Sequence, residues 1–365
     1  MKKSGGQGVR NNMVSLKVTN KKDIIKKDKA RYLSFPYITR TNSGDYLIAY
    51  RDAGALPGVR AHGASDGTIK LIRSKKQGWT DPITLYSTQN KEAEEMDCIL
   101  SRLKDGTLLI FSRLFGKKKG VYIAKSTDDG KTFSKRKEVV LQELGSWWCP
   151  WGKIIELENG NLLANAYCYK PGDENIKVSE ADRKAGFYAP FSSACIISED
   201  KGESWRLFSW IAVCDKVNKT AFCETSIVEL REREFYALIR TDGTMYHCRS
   251  YDECKTWSKP EPAFTGMALM ILKLANGNLL VTHRVVNEKE HGAIPERNLY
   301  CARISEDNGK NWSKETVIDD GKAFLVGSYG MGDICELEDG SVKVVYYTSD
   351  IDEAPWLQEA VLIIE

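Results

Sequence analysis

Long hydrophobic runs are missing from this chain. No apolar stretch approaches the roughly 20 residues that span a bilayer. Histidine is scarce, at four residues in 365, and no acidic loop has an EF-hand pattern. The sequence therefore implies neither a metal nor a cofactor. Ten cysteines are present, but none lies in a CxxC pair, which removes support for zinc or thioredoxin-like chemistry. Most sit in apolar, strand-like runs, where a free thiol behaves as a small hydrophobe. Excess charge is also missing. A formal net charge of +3 is too small to argue for nucleic acid as a partner. Lys117-Lys118-Lys119 and the run from Lys21 to Lys29 read as solvated loops. No long stretch has helical periodicity, and strand-rich runs dominate.

At 42% hydrophobic and 28% charged residues, the composition is that of an ordinary globular chain. Met1 to Asn12 is rich in Gly and Lys with no apolar run behind it, which does not read as a signal peptide. Residues 1–12 are expected to be disordered, and 13–365 to form one domain. A reduced, cytoplasmic setting is favoured, or a secreted one if an upstream signal was removed.

What is present is repetition. Ser198-Glu199-Asp200-Lys201-Gly202-Glu203-Ser204-Trp205 reads Ser-x-Asp-x-Gly-x-Ser-Trp. It recurs from Ser305 to Trp312 and from Ser126 to Phe133. A further copy, Ser250 to Trp257, has Cys254 where glycine is expected, and a worn one runs from Arg73 to Trp79. The Asp side chain accepts bonds from backbone N–H groups a few residues on and closes a turn. Glycine suits a left-handed backbone, and the aromatic returns the chain to the apolar layer. Cys254 is accordingly expected in a left-handed turn. These boxes build scaffold and do no chemistry.

A second repeat lies upstream of each box: an apolar run, a tight turn, then a Leu/Val-rich run. The turns are Ser43-Gly44, Asp105-Gly106, Asn159-Gly160, Asn276-Gly277 and Asp339-Gly340. Asp-Gly and Asn-Gly are strong hairpin signals. The fourth copy has Arg231-Glu232-Arg233 instead, so its turn must be built differently. Six units of four short strands predict an all-β, six-bladed β-propeller with antiparallel blades. Val14–Thr19 and Ala360–Ile364 are the strands expected to share the last blade and close the ring.

Six units with Asp boxes resemble the sialidase superfamily over nearly the whole chain. The family places a glutamate at the start of the fourth unit's inner strand and an arginine sixteen residues later. Glu224 and Arg240 match that spacing. The family's last arginine lies eight residues before a box serine, as Arg297 does before Ser305. The nucleophilic tyrosine opens the sixth unit, where Tyr329 stands. The family's first arginine maps onto Ser34, a departure, with Arg31 or Arg51 as substitutes. The acid/base aspartate falls in the loop after the first hairpin, which holds Asp52, His62 and Asp66. The resemblance implies hydrolysis of a terminal acidic sugar on a glycan. Arginine forks would bind its carboxylate, Glu224 would activate Tyr329, and Asp66 would act as acid and base.

Repeat register extends the set. Nine residues before each hairpin glycine stand Phe35, Asp97, Trp151, Glu224 (with Arg233 at the glycine position), Ala268 and Met331. If Glu224 faces the funnel, Asp97 and Trp151 should too, and Trp147-Trp148 and Trp151 suit stacking on a sugar. A glycosidase for another terminal sugar and a non-catalytic glycan-binding propeller remain open alternatives.

Overall fold

The computed structural model describes the chain apart from residues 1–13, 56–65, 89–92, 146, 185–186, 242, 287–297, 321–329 and 350–353. Six four-stranded antiparallel sheets form the blades of a β-propeller. Their inner strands are Arg31–Arg40, Ala93–Arg102, Trp148–Glu156, Cys223–Arg231, Met267–Lys273 and Gly332–Glu336. Each inner strand packs on its neighbours in ring order, and the sixth packs on the first, closing the circle. The second strands are Tyr46–Gly54, Leu108–Gly116, Leu162–Tyr169, Glu234–Arg240, Leu279–Val286 and Val342–Thr348. The expected helix deficit holds. Among the described residues there is a five-residue helix, Glu180–Lys184, and a single 3-10 turn, Gln142–Leu144. Among these residues no helix is long and apolar enough to cross a membrane.

The termini close the last blade as the sequence predicts. Leu16–Asp23 is its outer strand and pairs with Trp356–Ile364, Leu16 opposite Ile364. This joins the first and last segments of the chain in one sheet and covers the outward edge of Trp356–Ile364. The expectation of a disordered segment at 1–12 concerns residues outside those described.

Turn chemistry explains the hairpins. The hairpin glycines Gly44, Gly106, Gly160, Gly277 and Gly340 all have positive φ. In the fourth blade Arg233 takes the same left-handed place, at φ 64°. The turn is therefore not built differently; it keeps its shape at a cost of about 1–2 kcal/mol for a residue with a Cβ. The boxes repeat one network. Asp200 Oδ1 accepts from Ser204 N at 2.8 Å and from Ser198 Oγ at 2.8 Å, while Gly202 N donates to Ser198 Oγ at 2.7 Å. Asp128, Asp252 and Asp307 are held in the same way. Cys254 has φ 66° and donates its N–H to Ser250 Oγ, so it adopts the left-handed turn without glycine. Box aromatics pack against the preceding blade, as Trp205 does on Phe111, with ring centroids 5.3 Å apart. All ten cysteines are free thiols.

Candidate functional site

The site begins with a kink in the inner strands. Pairing with the second strand slips between Ser34 and Tyr37, Glu95 and Asp97, Trp151 and Ile155, Cys223 and Ser226, and Met267 and Met270. A bulge adds an unpaired residue and re-aims a side chain. Left-handed backbone falls at these bulges: Phe35 at φ 52°, Glu224 at 43°, Ala268 at 53°, and Gly152 at 69°. At Gly152 a Cβ would come within 3.2 Å of the Thr225 carbonyl oxygen, so the third and fourth blades approach closely there. The bulges of the first five blades, and the start of the inner strand in the sixth, each turn one residue toward the ring axis. Those residues are Phe35, Asp97, Trp151, Glu224, Ala268 and Met331, and all six line one axial cavity of about 160 Å³.

A second tier comes from the ends of the second strands. Sixteen residues after the inner-strand positions stand Arg51, Arg113, Tyr167, Arg240, Arg284 and Tyr347. Four of these, Arg113, Tyr167, Arg240 and Arg284, line the same cavity. Two blades thus present an acid and an arginine in matching register. Arg113 holds Asp97 with two parallel bonds, Nε to Oδ1 at 3.0 Å and Nη2 to Oδ2 at 2.7 Å. Arg240 Nη1 donates to Glu224 Oε1 at 2.5 Å. Glu224 is 7% exposed, and among the described residues its Oε2 is buried with no hydrogen-bond partner.

Electrostatics at the cavity favour an anion. Among the described residues that line it, three arginines stand with two carboxylates. Burial opposes the Arg113 charge, but Asp97 outweighs it and holds the guanidinium well above its ordinary pKa. Arg284 is the contrast. Burial, then the like charge of Arg240, push it down to about 10. An arginine so perturbed gains from any anion placed beside it. Burial also raises Tyr167 well above the usual tyrosine value, so it faces the cavity as a neutral phenol.

The other expected site residues divide into two groups. Arg51 is 1% exposed and turned to the inner strand of the second blade, donating from Nη2 to Glu94 Oε2 at 2.6 Å and from Nε to Glu95 O at 3.0 Å. Arg31 donates to Asp52 at 2.6 Å and to Asp66 at 3.0 Å. Asp66 also accepts from Gly54 N at 2.7 Å. Burial is the largest single influence on it and acts upward, but the bonds from Gly54 and Arg31 and the Arg31 charge together lower its pKa. None of Arg31, Arg51, Asp52 and Asp66 is among the residues lining the axial cavity. His62, Arg297 and Tyr329 lie outside the described residues. Ser34, where the resemblance puts an arginine, is fully buried beside the bulge, and Phe35 faces the cavity in its place. Trp151 lines the cavity and donates Nε1–H to Leu269 O at 3.3 Å. Trp147 packs with Tyr167, Tyr169 and Phe191, its ring stacked on Phe191 at 5.3 Å.

Comparison with known proteins places this architecture. The BNR repeat-like domain matches residues 35–349, most of the chain. The chain belongs to the BNR repeat-like family. Its fold matches a crystal structure of a protein of unknown function from Dyadobacter fermentans, with a TM-score of 0.77 at 20% identity, covering 96% of this chain and 99% of that one. It also matches the NanB sialidase from Streptococcus pneumoniae, with a TM-score of 0.64 at 14% identity, covering 94% and 70%. A third match is the Trypanosoma rangeli sialidase in complex with 2,3-difluorosialic acid as a covalent intermediate. There the TM-score is 0.68 at 12% identity, covering 95% of this chain and 59% of that one, so this chain spans less than two thirds of that protein. At these identities the likeness is one of fold. The six-bladed propeller read from the repeats is thereby established.

Within this BNR repeat-like propeller, the site holds three residues that sequence reasoning did not single out: Arg113, Tyr167 and Arg284. The signal was available. The sixteen-residue step that links Glu224 to Arg240 also links Asp97 to Arg113, Trp151 to Tyr167 and Ala268 to Arg284. Applied to every blade, it names the second tier of the funnel.

Proposed function

We propose that this propeller is a sialidase-type exo-glycosidase that removes a terminal acidic sugar from a glycan. One observation carries the reading: Arg113, Arg240 and Arg284, from three different blades, converge on one axial cavity beside Asp97 and Glu224. A sugar carboxylate is a ligand that such a cluster of guanidinium groups can bind. Arginine binds it with charge-assisted, paired hydrogen bonds. Arg113 and Arg284 take over the work that the missing arginine at Ser34 does not do.

In this mechanism Tyr329 is the nucleophile, because a carboxylate nucleophile would be disfavoured beside the substrate's own carboxylate. Glu224 Oε2, buried and unengaged, takes the tyrosine proton. The phenolate oxygen bonds to the anomeric carbon while the bond to the leaving oxygen breaks, and Asp66 supplies a proton to that oxygen. Asp66 then takes a proton from water as the water displaces the tyrosine, whose oxygen regains its proton from Glu224 as its bond to the anomeric carbon breaks. The bonds from Arg31 and Gly54 favour the ionised form of Asp66 that this second step requires.

Activity on a panel of fluorogenic terminal glycosides tests the proposal. Turnover of an acidic glycoside, lost in Arg240→Met, is the expected result. Faster turnover of neutral glycosides would shift the reading to another sugar. Binding of glycans without turnover would make the propeller a lectin-like module.

A further inference from the structure

We infer that a second cavity, which shares Arg113 with the funnel, is a subsite for the penultimate sugar of the same glycan, which is a neutral, hydroxyl-rich ring. The inference rests on the funnel holding the terminal acidic sugar. The cavity measures about 200 Å³ and lies between the outer part of the second blade and the segment leading into the third. Arg113 lines both cavities, which sets them side by side at that residue.

The lining fits a neutral sugar better than a charged one. Arg113 is compensated by Asp97, and its bonds to that carboxylate use Nε and Nη2, not Nη1. Of the remaining polar groups, Lys119 and Glu138 offset one another, and Gln142 supplies both a donor and an acceptor. Apolar walls, including Leu114, suit the C–H faces of a pyranose. Trp147 is a wall and not a stacking platform. One contact of its ring is the stacked Phe191, and Arg113 lies over it with Cζ 5.7 Å from the ring centroid. Its work is to fix the Arg113 guanidinium at the junction.

The test compares two substrates that share one terminal acidic sugar: a fluorogenic aryl glycoside, which ends at the funnel, and a trisaccharide, which reaches the second cavity. Glu138→Ala/Gln142→Ala should lower kcat/KM for the trisaccharide by about tenfold, as the loss of one or two neutral hydrogen bonds predicts. It should leave the aryl glycoside within about twofold, since neither residue lines the funnel. Equal effects on both substrates, or none on either, would overturn the subsite while leaving the funnel reading standing. If neither substrate is turned over, the funnel reading as an enzyme fails, and calorimetric binding of the trisaccharide and its terminal monosaccharide then decides. Tighter binding of the trisaccharide, lost in the double variant, supports the subsite. Identical affinities in the two proteins exclude it.

Discussion

Acids stand at fixed register in two places in this propeller, and the two places treat them differently. At the outer turns, Asp128, Asp200, Asp252 and Asp307 are satisfied by backbone N–H and hydroxyl groups within their own box. Each copy is a self-contained turn, and the copies are nearly identical. At the axis, Asp97, Glu224 and Asp333 are paired with cations from another strand or another blade. There the copies differ from blade to blade: Phe35, Trp151, Ala268 and Met331 occupy the positions equivalent to Asp97 and Glu224. A repeat whose partners are local can be copied unchanged. A repeat that faces a shared cavity must diversify, because six identical acids on one axis would repel. Diversity at constant register is therefore where function is to be sought.

The largest effect that separates the two regions is on turnover. Glu224→Gln keeps the shape of the side chain and its place beside Arg240 but removes the proton acceptor. It should slow the chemical step by about 10²–10⁴-fold, the usual worth of a positioned base, while the urea midpoint moves little. An unchanged kcat would remove Glu224 from the mechanism. Asp200→Asn, on the periphery, should leave kcat unchanged.

Next in size is the lower axis. Lys153 reaches from the third blade across the axis. Its Nζ lies 2.9 Å from Asp333 and donates to Ile38 O at 2.8 Å, which ties the third, sixth and first blades together. Asp333 is fully buried, and burial raises its pKa although Lys153 and the N–H of Ile38 oppose this. Lys153→Met should cost about 3 kcal/mol, the lower end for breaking a buried pair, because the Lys153 side chain keeps 28% exposure. Lys153→Met/Asp333→Leu should recover much of the loss in chemical denaturation. If the double variant is as unstable as the single, the pair holds the ring by its hydrogen bonds and not merely by cancelling charge.

The same contrast explains what was legible in the sequence. Blade count, hairpins and boxes were readable because each is encoded by a few adjacent residues whose turn chemistry is local. Asp97 and Trp151 followed from counting back to a hairpin, since register fixes which backbone positions face the axis. Arg51 marks the limit of that reasoning. It occupies the same register as Arg113, Arg240 and Arg284, yet its guanidinium turns to Glu94, a partner that no spacing reveals. Register places a backbone, whereas partners orient the side chain. The meeting of Arg113, Arg240 and Arg284 in one cavity was hidden for the same reason, because arginines on three different blades become neighbours only when the ring closes.

A smaller effect concerns acid. Hydrogen bonds from Ser204 and its own turn hold Asp200 down to about 2. The folded state then binds fewer protons than the unfolded chain between about pH 2 and pH 4, so stability rises with pH across that window and is lost as pH falls through it. Urea midpoints across this range should drop on acidification in the wild type and drop less in Asp200→Asn. Equal slopes would mean that the box carboxylates are not what acid attacks. Asp333 has the opposite sign. Its raised pKa makes the folded state the better proton binder above the ordinary carboxylate range, so its contribution falls as pH rises there.

The smallest effect is at Cys254, where two terms oppose each other. Glycine at φ 66° removes the strain of a left-handed residue, a gain of about 0.4–1 kcal/mol. Yet the Cys254 side chain is fully buried in the apolar layer with Cys195, Cys248 and Phe235. Removing its buried atoms costs about 0.8 kcal/mol for each methylene-sized group. Cys254→Gly is therefore expected to change stability by less than about 1 kcal/mol, with cancellation where the turn alone promises a gain. Cys254→Ala separates the terms, because it loses the buried sulfur and keeps the strained backbone. The alanine variant should be the less stable of the two in urea denaturation. If alanine proves equal to or more stable than glycine, the left-handed turn carries no appreciable strain, and the box tolerates a side chain at its glycine position for packing alone.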